Sequence, residues 1–92
     1  MNLTGKIKYI QPTTQITDSF KKAEVVIVTE EQYPQTIKFE LHQDKCSLLE
    51  GKQIGQRIDV KFNIRGKEYT NPQGYIQVFN TLTAWDMTVL NQ

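Results

Sequence analysis

The sequence has few of the features that mark a secreted or a membrane protein. Cys46 is its only cysteine, so no disulfide framework is available, and a lone thiol is typical of a reducing compartment such as the cytoplasm. No apolar stretch approaches the roughly 20 residues that a membrane-spanning helix needs. The N-terminal segment MNLTGKIKYI lacks the apolar run of a signal peptide. We therefore expect a cytoplasmic protein with no membrane partner.

Catalytic and metal-binding patterns are also missing from the sequence. His42, Asp44 and Cys46 lie close together, but alternate spacing at a strand-to-helix corner need not bring the imidazole and the thiol into contact. No glycine elbow or oxyanion-hole motif accompanies them, and there is no phosphate-cradling glycine motif. One histidine and one cysteine cannot supply the nitrogen and sulfur ligands of a zinc site. We expect no enzyme, no metal and no cofactor.

The overall charge does not indicate a partner. The formal net charge is only +1, so the chain as a whole is not a polycation. Any affinity for nucleic acid has to come from the distribution of charge. Lysine and arginine do cluster in the segments predicted as strands, whereas several acids fall in turns or near the helix. On charge alone, an ordinary solvated surface is the more usual explanation.

Apolar and polar residues alternate along most of the chain, which predicts β-strands. Between the first two strands we expect a loop over 12–19. A short helix is predicted at 44–51, with Asp44 capping its start and Gly51 ending it in the left-handed conformation. A bulge near 80–81 is expected to swap the faces of the last strand. The predicted strands are 3–10, 20–29, 35–42, 57–65 and 75–87.

Five strands with one short helix between the third and the fourth is the element order of an OB-fold, a five-stranded Greek-key barrel of the all-β class. The length of 92 residues predicts a single domain, residues 1–92. An SH3-like barrel is the main structural competitor, but it would not place a capped helix at this point. OB-folds bind oligonucleotides or oligosaccharides on the exposed face of strands two and three and on the flanking loops.

The segment 65–69 is the best candidate for a binding surface. It follows the fourth strand and leads to a turn at 71–74, so we expect a protruding loop that carries an aromatic ring and flanking cations. Sequence-tolerant binding of single-stranded nucleic acid needs flat rings for the bases and cations for the phosphates. The candidate nucleic-acid-binding residues are Arg65, Lys67, Tyr69, Lys22, Lys38, Lys61, Tyr75, Phe79 and Trp85.

The aromatic residues divide between the core and the surface. Phe39 and Phe62 are predicted to lie in the barrel core, whereas Tyr75 and Phe79 can face outward. Trp85 lies in the last strand, and we expect at least half of it to be buried. Its role is therefore open between core packing and base stacking.

Two segments, CSLLEGKQIGQRIDV at 46–60 and RGKEY at 65–69, are similar to bacterial single-stranded-DNA-binding proteins. Over nearly its full length the chain resembles still more a family of small bacterial proteins of unassigned function. That family is related to these binders and to the primosomal replication proteins. The segments that carry this second resemblance are 3–7, 33–35, 43–46, 71–74 and 79–81.

The resemblance implies single-stranded DNA, or RNA, as the partner. It also implies a homodimer or homotetramer, because the relatives assemble through their barrels. The well-known binders end in a flexible tail with an acidic tip that recruits other proteins. This sequence ends in VLNQ, so we expect no acidic C-terminal tail for partner recruitment.

Three functions follow from these observations, and we favour the first. It is non-catalytic, largely sequence-independent binding of single-stranded DNA through an electropositive, aromatic-bearing face and loop. The alternative is a protein-interaction or assembly module that uses the barrel as a scaffold. The small charge surplus favours this alternative, as does the segment 25–28, which is apolar on both faces and typical of a sheet centre or a subunit contact. An oligosaccharide binder is a distant third, since fold alone does not decide.

Overall fold

The computed structural model of the protein describes residues 1–90. Residues 91–92, part of the segment VLNQ in which no acidic tail is expected, lie outside the described residues. The strands follow the order β1-β2-β3-β5-β4 around a closed barrel, in which β4 also pairs with β1. This is the OB-fold topology. The predicted fold class, with one short helix between the third and fourth strands, is confirmed. The elements are β1 (Asn2–Thr17), β2 (Phe20–Thr29), β3 (Thr36–His42), a 3-10 helix (Gln43–Leu49), β4 (Arg57–Thr70) and β5 (Ile76–Val89).

Apolar side chains that alternate along the strands fill the barrel interior. Phe39 of β3 and Phe62 of β4 are buried, as predicted, with their ring centroids 5.0 Å apart. Because successive side chains of a strand point to opposite faces, this buried set also determines which residues lie outside the barrel. The other buried apolar residues are Ile7, Ala23, Val25, Ile27, Leu41, Cys46, Ile58, Val60, Ala84 and Met87.

Strand β1 is longer than predicted, and the loop expected over 12–19 is wrong. β1 continues to Thr17 and pairs with β2 as far as Phe20, through two further register shifts. The extension is rich in threonine, a β-branched residue that suits a pleated strand. Near the start of β1, Gly5 pairs with both β2 and β4, and a Cβ there would lie 2.4 Å from the carbonyl oxygen of Val28. Only glycine fits this contact.

The helix between β3 and β4 differs from the prediction at its start. It is a 3-10 helix that begins at Gln43, and its N-cap residue is His42, which makes no side-chain cap hydrogen bond. The predicted cap by Asp44 is therefore wrong, because Asp44 lies inside the first turn. Gly51 has a φ of +77°, the left-handed conformation expected after the helix. The helix is anchored by buried Cys46, whose Sγ donates a hydrogen bond to the Leu41 carbonyl oxygen at 3.2 Å. None of the helices within residues 1–90 is long and apolar enough to cross a membrane.

Strands β4 and β5 continue beyond the barrel as a long hairpin. The predicted strand end at 65 and the loop at 65–69 are wrong, because β4 runs to Thr70 and is paired with β5 throughout. The turn is closed by the Asn71 side chain, whose Oδ1 accepts hydrogen bonds from the backbone amides of Gln73 and Tyr75. Residues 64–70 and 72–80 are exposed. We refer to residues 64–80 as the arm.

The bulge in β5 lies at Trp85. Lys61 pairs with Asp86 and Phe62 pairs with Ala84, so Trp85 is the extra residue, and the bulge predicted near 80–81 is wrong. A bulge shifts the side-chain alternation by one residue, which lets Ala84 and Met87 both face the core. Trp85 itself is turned outward and is 42% exposed, so more than half of it is covered, as expected.

Candidate nucleic-acid interface

The arm presents two chemically different faces, because side chains alternate along its paired strands. The register sets Lys67 opposite Phe79 and Glu68 opposite Val78. One face, which we call the cationic-aromatic face, carries Arg65, Lys67, Tyr69, Gln77, Phe79 and Thr81. The other, which we call the aliphatic face, carries Ile64, Gly66, Glu68, Thr70, Ile76, Val78 and Asn80.

The cationic-aromatic face lines a concave trough beside β3. The part of the trough nearest the arm has a volume of about 740 Å³, and its far side is formed by Glu40 and His42 at the end of β3. A second part of about 400 Å³ continues along β3 towards Thr36. The two parts share Glu40, Phe79 and Thr81, so they adjoin each other between the arm and β3. We call this the trough.

Two exposed rings lie together in the trough. Tyr69 and Phe79 are 49% and 54% exposed, with ring centroids 5.6 Å apart in an edge-to-face arrangement. The ammonium of Lys67 lies 5.7 Å from the centroid of Tyr69. The two rings contact each other edge to face, and about half of each side chain remains exposed to solvent. Such rings can accept a stacked base.

The candidate cations in and beside the trough differ in whether an acid already neutralises them. Within residues 1–90, neither Arg65 nor Lys67 forms an ion pair. Lys22 lies 3.7 Å from Glu24, and Lys38 lies 3.6 Å from the same carboxylate. A phosphate has to compete with that carboxylate for either lysine, whereas it meets no such competitor at Arg65 and Lys67.

Other candidate residues lie away from the trough. Lys61 sits over the ring of Trp85 at 5.8 Å from its centroid and is 3.9 Å from Asp86, and neither Lys61 nor Trp85 lines the trough. Tyr75 lies in the turn at the tip of the arm and does not line it either. The structure therefore brings together Arg65, Lys67, Tyr69, Phe79 and Lys38, with Lys22 at the edge beside His42.

Sequence reasoning missed Glu40 and His42 as residues of the site. The signal was present, because alternation along β3 buries Phe39 and Leu41 and so turns Lys38, Glu40 and His42 to the outside. What the sequence did not contain was the position of the arm, which makes the outer face of β3 one wall of a concave surface.

The ionic contact between Arg57 and Glu30 lies outside the trough. The Arg57 Nε donates a hydrogen bond to Glu30, and this bond lowers the pKa of the Glu30 carboxyl and raises the pKa of the Arg57 guanidinium. Arg57 is thus another cation that is already paired. It is not available to a phosphate without loss of this contact.

In the structure, His42 and Cys46 from the grouping noted in the sequence make separate contacts. The His42 Nε2 lies 2.8 Å from the Glu40 Oε1, while the buried thiol of Cys46 donates to a backbone carbonyl. Among residues 1–90, no three or more His, Cys, Asp and Glu side chains are placed to hold a metal ion. His42 thus belongs to the β3 side of the trough, and Cys46 anchors the helix.

Solved structures with the same fold include single-stranded DNA binding proteins and a domain of the PriB protein. The mitochondrial single-stranded DNA binding protein Rim1 from S. cerevisiae is 16% identical, with a TM-score of 0.68 over 98% of this chain and 92% of that chain. The N-terminal domain of the PriB protein from Thermoanaerobacter tencongensis, described as dimeric, is 17% identical, with a TM-score of 0.66 over 100% and 96%. The SSB of Plasmodium falciparum, solved in complex with single-stranded DNA, is 13% identical, with a TM-score of 0.64 over 99% and 93%.

At such low identities these similarities establish the OB-fold and leave the ligand open. No curated protein is similar in sequence to this chain. The predicted resemblance to a family of unassigned function, related in fold to single-stranded-DNA-binding proteins, is confirmed by a family model that matches residues 2–88. The chain belongs to the DUF3127 family, a domain of unknown function.

Proposed function

We propose that this protein is a single OB-fold domain that binds single-stranded DNA in the trough, without catalysis and with broad sequence tolerance. The observation that carries the proposal is the juxtaposition of two unpaired cations, Arg65 and Lys67, with two exposed rings, Tyr69 and Phe79. Bases stack on the rings while phosphates contact the cations. The similar fold of a DNA-bound SSB supports this choice of ligand. Single-stranded RNA offers the same rings and phosphates and is the closest alternative ligand.

The salt dependence of binding tests the role of the two cations. Each phosphate that a cation neutralises adds about 0.7 to the slope of log affinity against log salt for single strands. We expect the double variant Arg65→Gln/Lys67→Gln to bind labelled oligothymidine with a shallower salt dependence. The magnitude of its slope should be smaller by about 1.4. Fluorescence anisotropy titrations at a series of salt concentrations measure the slope.

The matched control for this experiment is Lys45→Gln/Lys52→Gln. It removes the same net charge from the helix and the turn that follows it, and neither residue lines the trough. We expect the control slope to stay close to that of the unmodified protein. Equal slopes for the two double variants would show that phosphate contacts lie elsewhere.

A second function, that of an assembly module, is favoured by the aliphatic face of the arm. Ile64, Ile76 and Val78 are all more than half exposed there, and contiguous exposed apolar surface marks interaction sites. Together with the dimeric PriB domain of similar fold, this supports a homodimer or homotetramer. Analytical ultracentrifugation measures the assembly state. An oligomer that binds no oligothymidine at low salt would favour the assembly function over the first.

A cytoplasmic location stays a prediction, and its basis is the single thiol of Cys46. In the structure this thiol is buried and hydrogen-bonded, so it acts as a packing residue of the helix. It takes no part in the proposed binding of DNA.

A further inference from the structure

Two glutamates face each other on the outer surface of the sheet beside the trough. Glu24 of β2 is the direct cross-strand partner of Glu40 of β3, an arrangement that is destabilising for like charges. Both side chains are less than one quarter exposed, at 23% and 19%. Lys22 and Lys38 offset the repulsion between the two carboxylates, and His42 shares a hydrogen bond with Glu40. Carboxylates are unexpected on a surface that binds a polyanion, and phosphate contacts and base stacking do not use them.

Only one of the two glutamates reaches the trough. Glu40 lines both of its parts, next to Phe79 and Thr81, whereas Glu24 lines neither. The Oε1 atom of Glu40 is engaged with His42 at 2.8 Å. Its Oε2 atom lies 4.0 Å from the Lys22 ammonium, which is beyond hydrogen-bond distance. Oε2 therefore retains the capacity to accept a hydrogen bond from a ligand in the trough.

We propose that Glu40 gives the trough a preference for bases that present an exocyclic amino group. This inference rests on the proposed function and adds a base-reading residue to it. The 4-amino group of cytosine donates a hydrogen bond to a carboxylate. Uracil and thymine present a carbonyl oxygen at the same position, and two acceptors brought together leave both unsatisfied. The rings stack on any base, whereas Glu40 raises the affinity only for bases whose edge presents an amino group.

Oligodeoxycytidine and oligodeoxyuridine of equal length are the sharpest pair of ligands for the test. They share one backbone and both lack the methyl group of thymine, so they differ at the part of the pyrimidine edge that Glu40 would contact. Oligodeoxycytidine can make one hydrogen bond to the charged Glu40 carboxylate that oligodeoxyuridine cannot make. We therefore expect oligodeoxycytidine to bind about tenfold more tightly. Anisotropy at mildly alkaline pH, where cytosine is neutral, measures the ratio of the two affinities.

Glu40→Gln is expected to remove the preference. The glutamine amide can donate as well as accept, so it can pair with either base edge, and the ratio should fall close to one. Binding of oligodeoxyuridine should also tighten, because the variant removes a negative charge next to the phosphates. Glu24→Gln is the matched control: it removes the same charge outside the trough, so both affinities should rise while the ratio persists.

Glu40→Ala gives a second, independent test, since it removes the acceptor altogether and should also abolish the ratio. Equal affinity of the unmodified protein for the two oligomers overturns the inference and leaves the proposed function standing. A tenfold ratio that survives in Glu40→Gln or Glu40→Ala overturns it as well. Absence of binding to either oligomer overturns the proposed function and this inference with it.

Discussion

Tyr69→Ala is expected to weaken the binding of oligothymidine by about tenfold or more. A base stacked on an aromatic ring contributes about 1–3 kcal/mol, and Tyr69 lies in the trough beside the unpaired Lys67. The substitution also removes the edge-to-face support of Phe79 and the ring beneath the Lys67 ammonium. Because Tyr69 is half exposed and lies outside the barrel core, the fold should remain intact.

Two further variants make the test of Tyr69 specific. Tyr69→Phe keeps the flat ring and should retain most of the affinity. Tyr33→Ala removes another exposed tyrosine, one that does not line the trough, and it should bind as the unmodified protein does. Anisotropy titration at one low salt concentration measures all three. If Tyr69→Ala and Tyr33→Ala bind equally well, stacking on Tyr69 is not part of the interaction.

Phe39→Ala is expected to cause the largest loss of stability of any single substitution considered. Phe39 is fully buried and packs against Phe62 in the centre of the barrel. Truncation of a buried phenylalanine costs about 3–5 kcal/mol, which combines the lost transfer free energy with the cavity left behind. A domain has a total free energy of unfolding of only about 5–15 kcal/mol, so the variant should be close to unfolding at room temperature.

Phe79→Ala is the matched control for Phe39→Ala. Phe79 is exposed in the arm, so its removal should change the free energy of unfolding by no more than about 0.5 kcal/mol. It should nonetheless weaken DNA binding, because Phe79 lines both parts of the trough. Urea denaturation followed by circular dichroism measures the stabilities. Similar stabilities for the two variants would contradict the assignment of Phe39 to the core and Phe79 to the surface.

The barrel was predictable because its signal is local. Alternation along single strands placed Phe39 and Phe62 inside, an apolar run located β2, and a change of period indicated the position of the helix. The arm was not predictable in the same way. Residues 65–69 carry no buried side chain, and Gly66 resembles the end of a strand. The segment is extended because β5 pairs with it residue by residue, and the pattern of residues along β4 alone does not reveal that pairing.

The candidate site, too, was only partly predictable from the sequence. Arg65, Lys67 and Tyr69 could be chosen from residue type and position, but the contact of Tyr69 with Phe79 depends on the register of the hairpin. The contacts of Lys38 with Glu24 and of Lys22 with Glu40 depend on the register of β2 against β3. The outward turn of Trp85 depends on a bulge. Each of these features joins strands that are separate in the sequence, so residue type alone does not reveal them.

Chemical-shift mapping of the isotope-labelled protein with oligothymidine tests the central claim most directly. We predict that addition of the oligomer moves the backbone amide signals of residues 65–69 and 77–81 in the arm and of residues 40–42 in β3. Signals from the helix and from the first half of β1 should stay in place. Shifts confined to the opposite side of the barrel, or no shifts at low salt, would contradict the assignment of the trough as a site for single-stranded DNA.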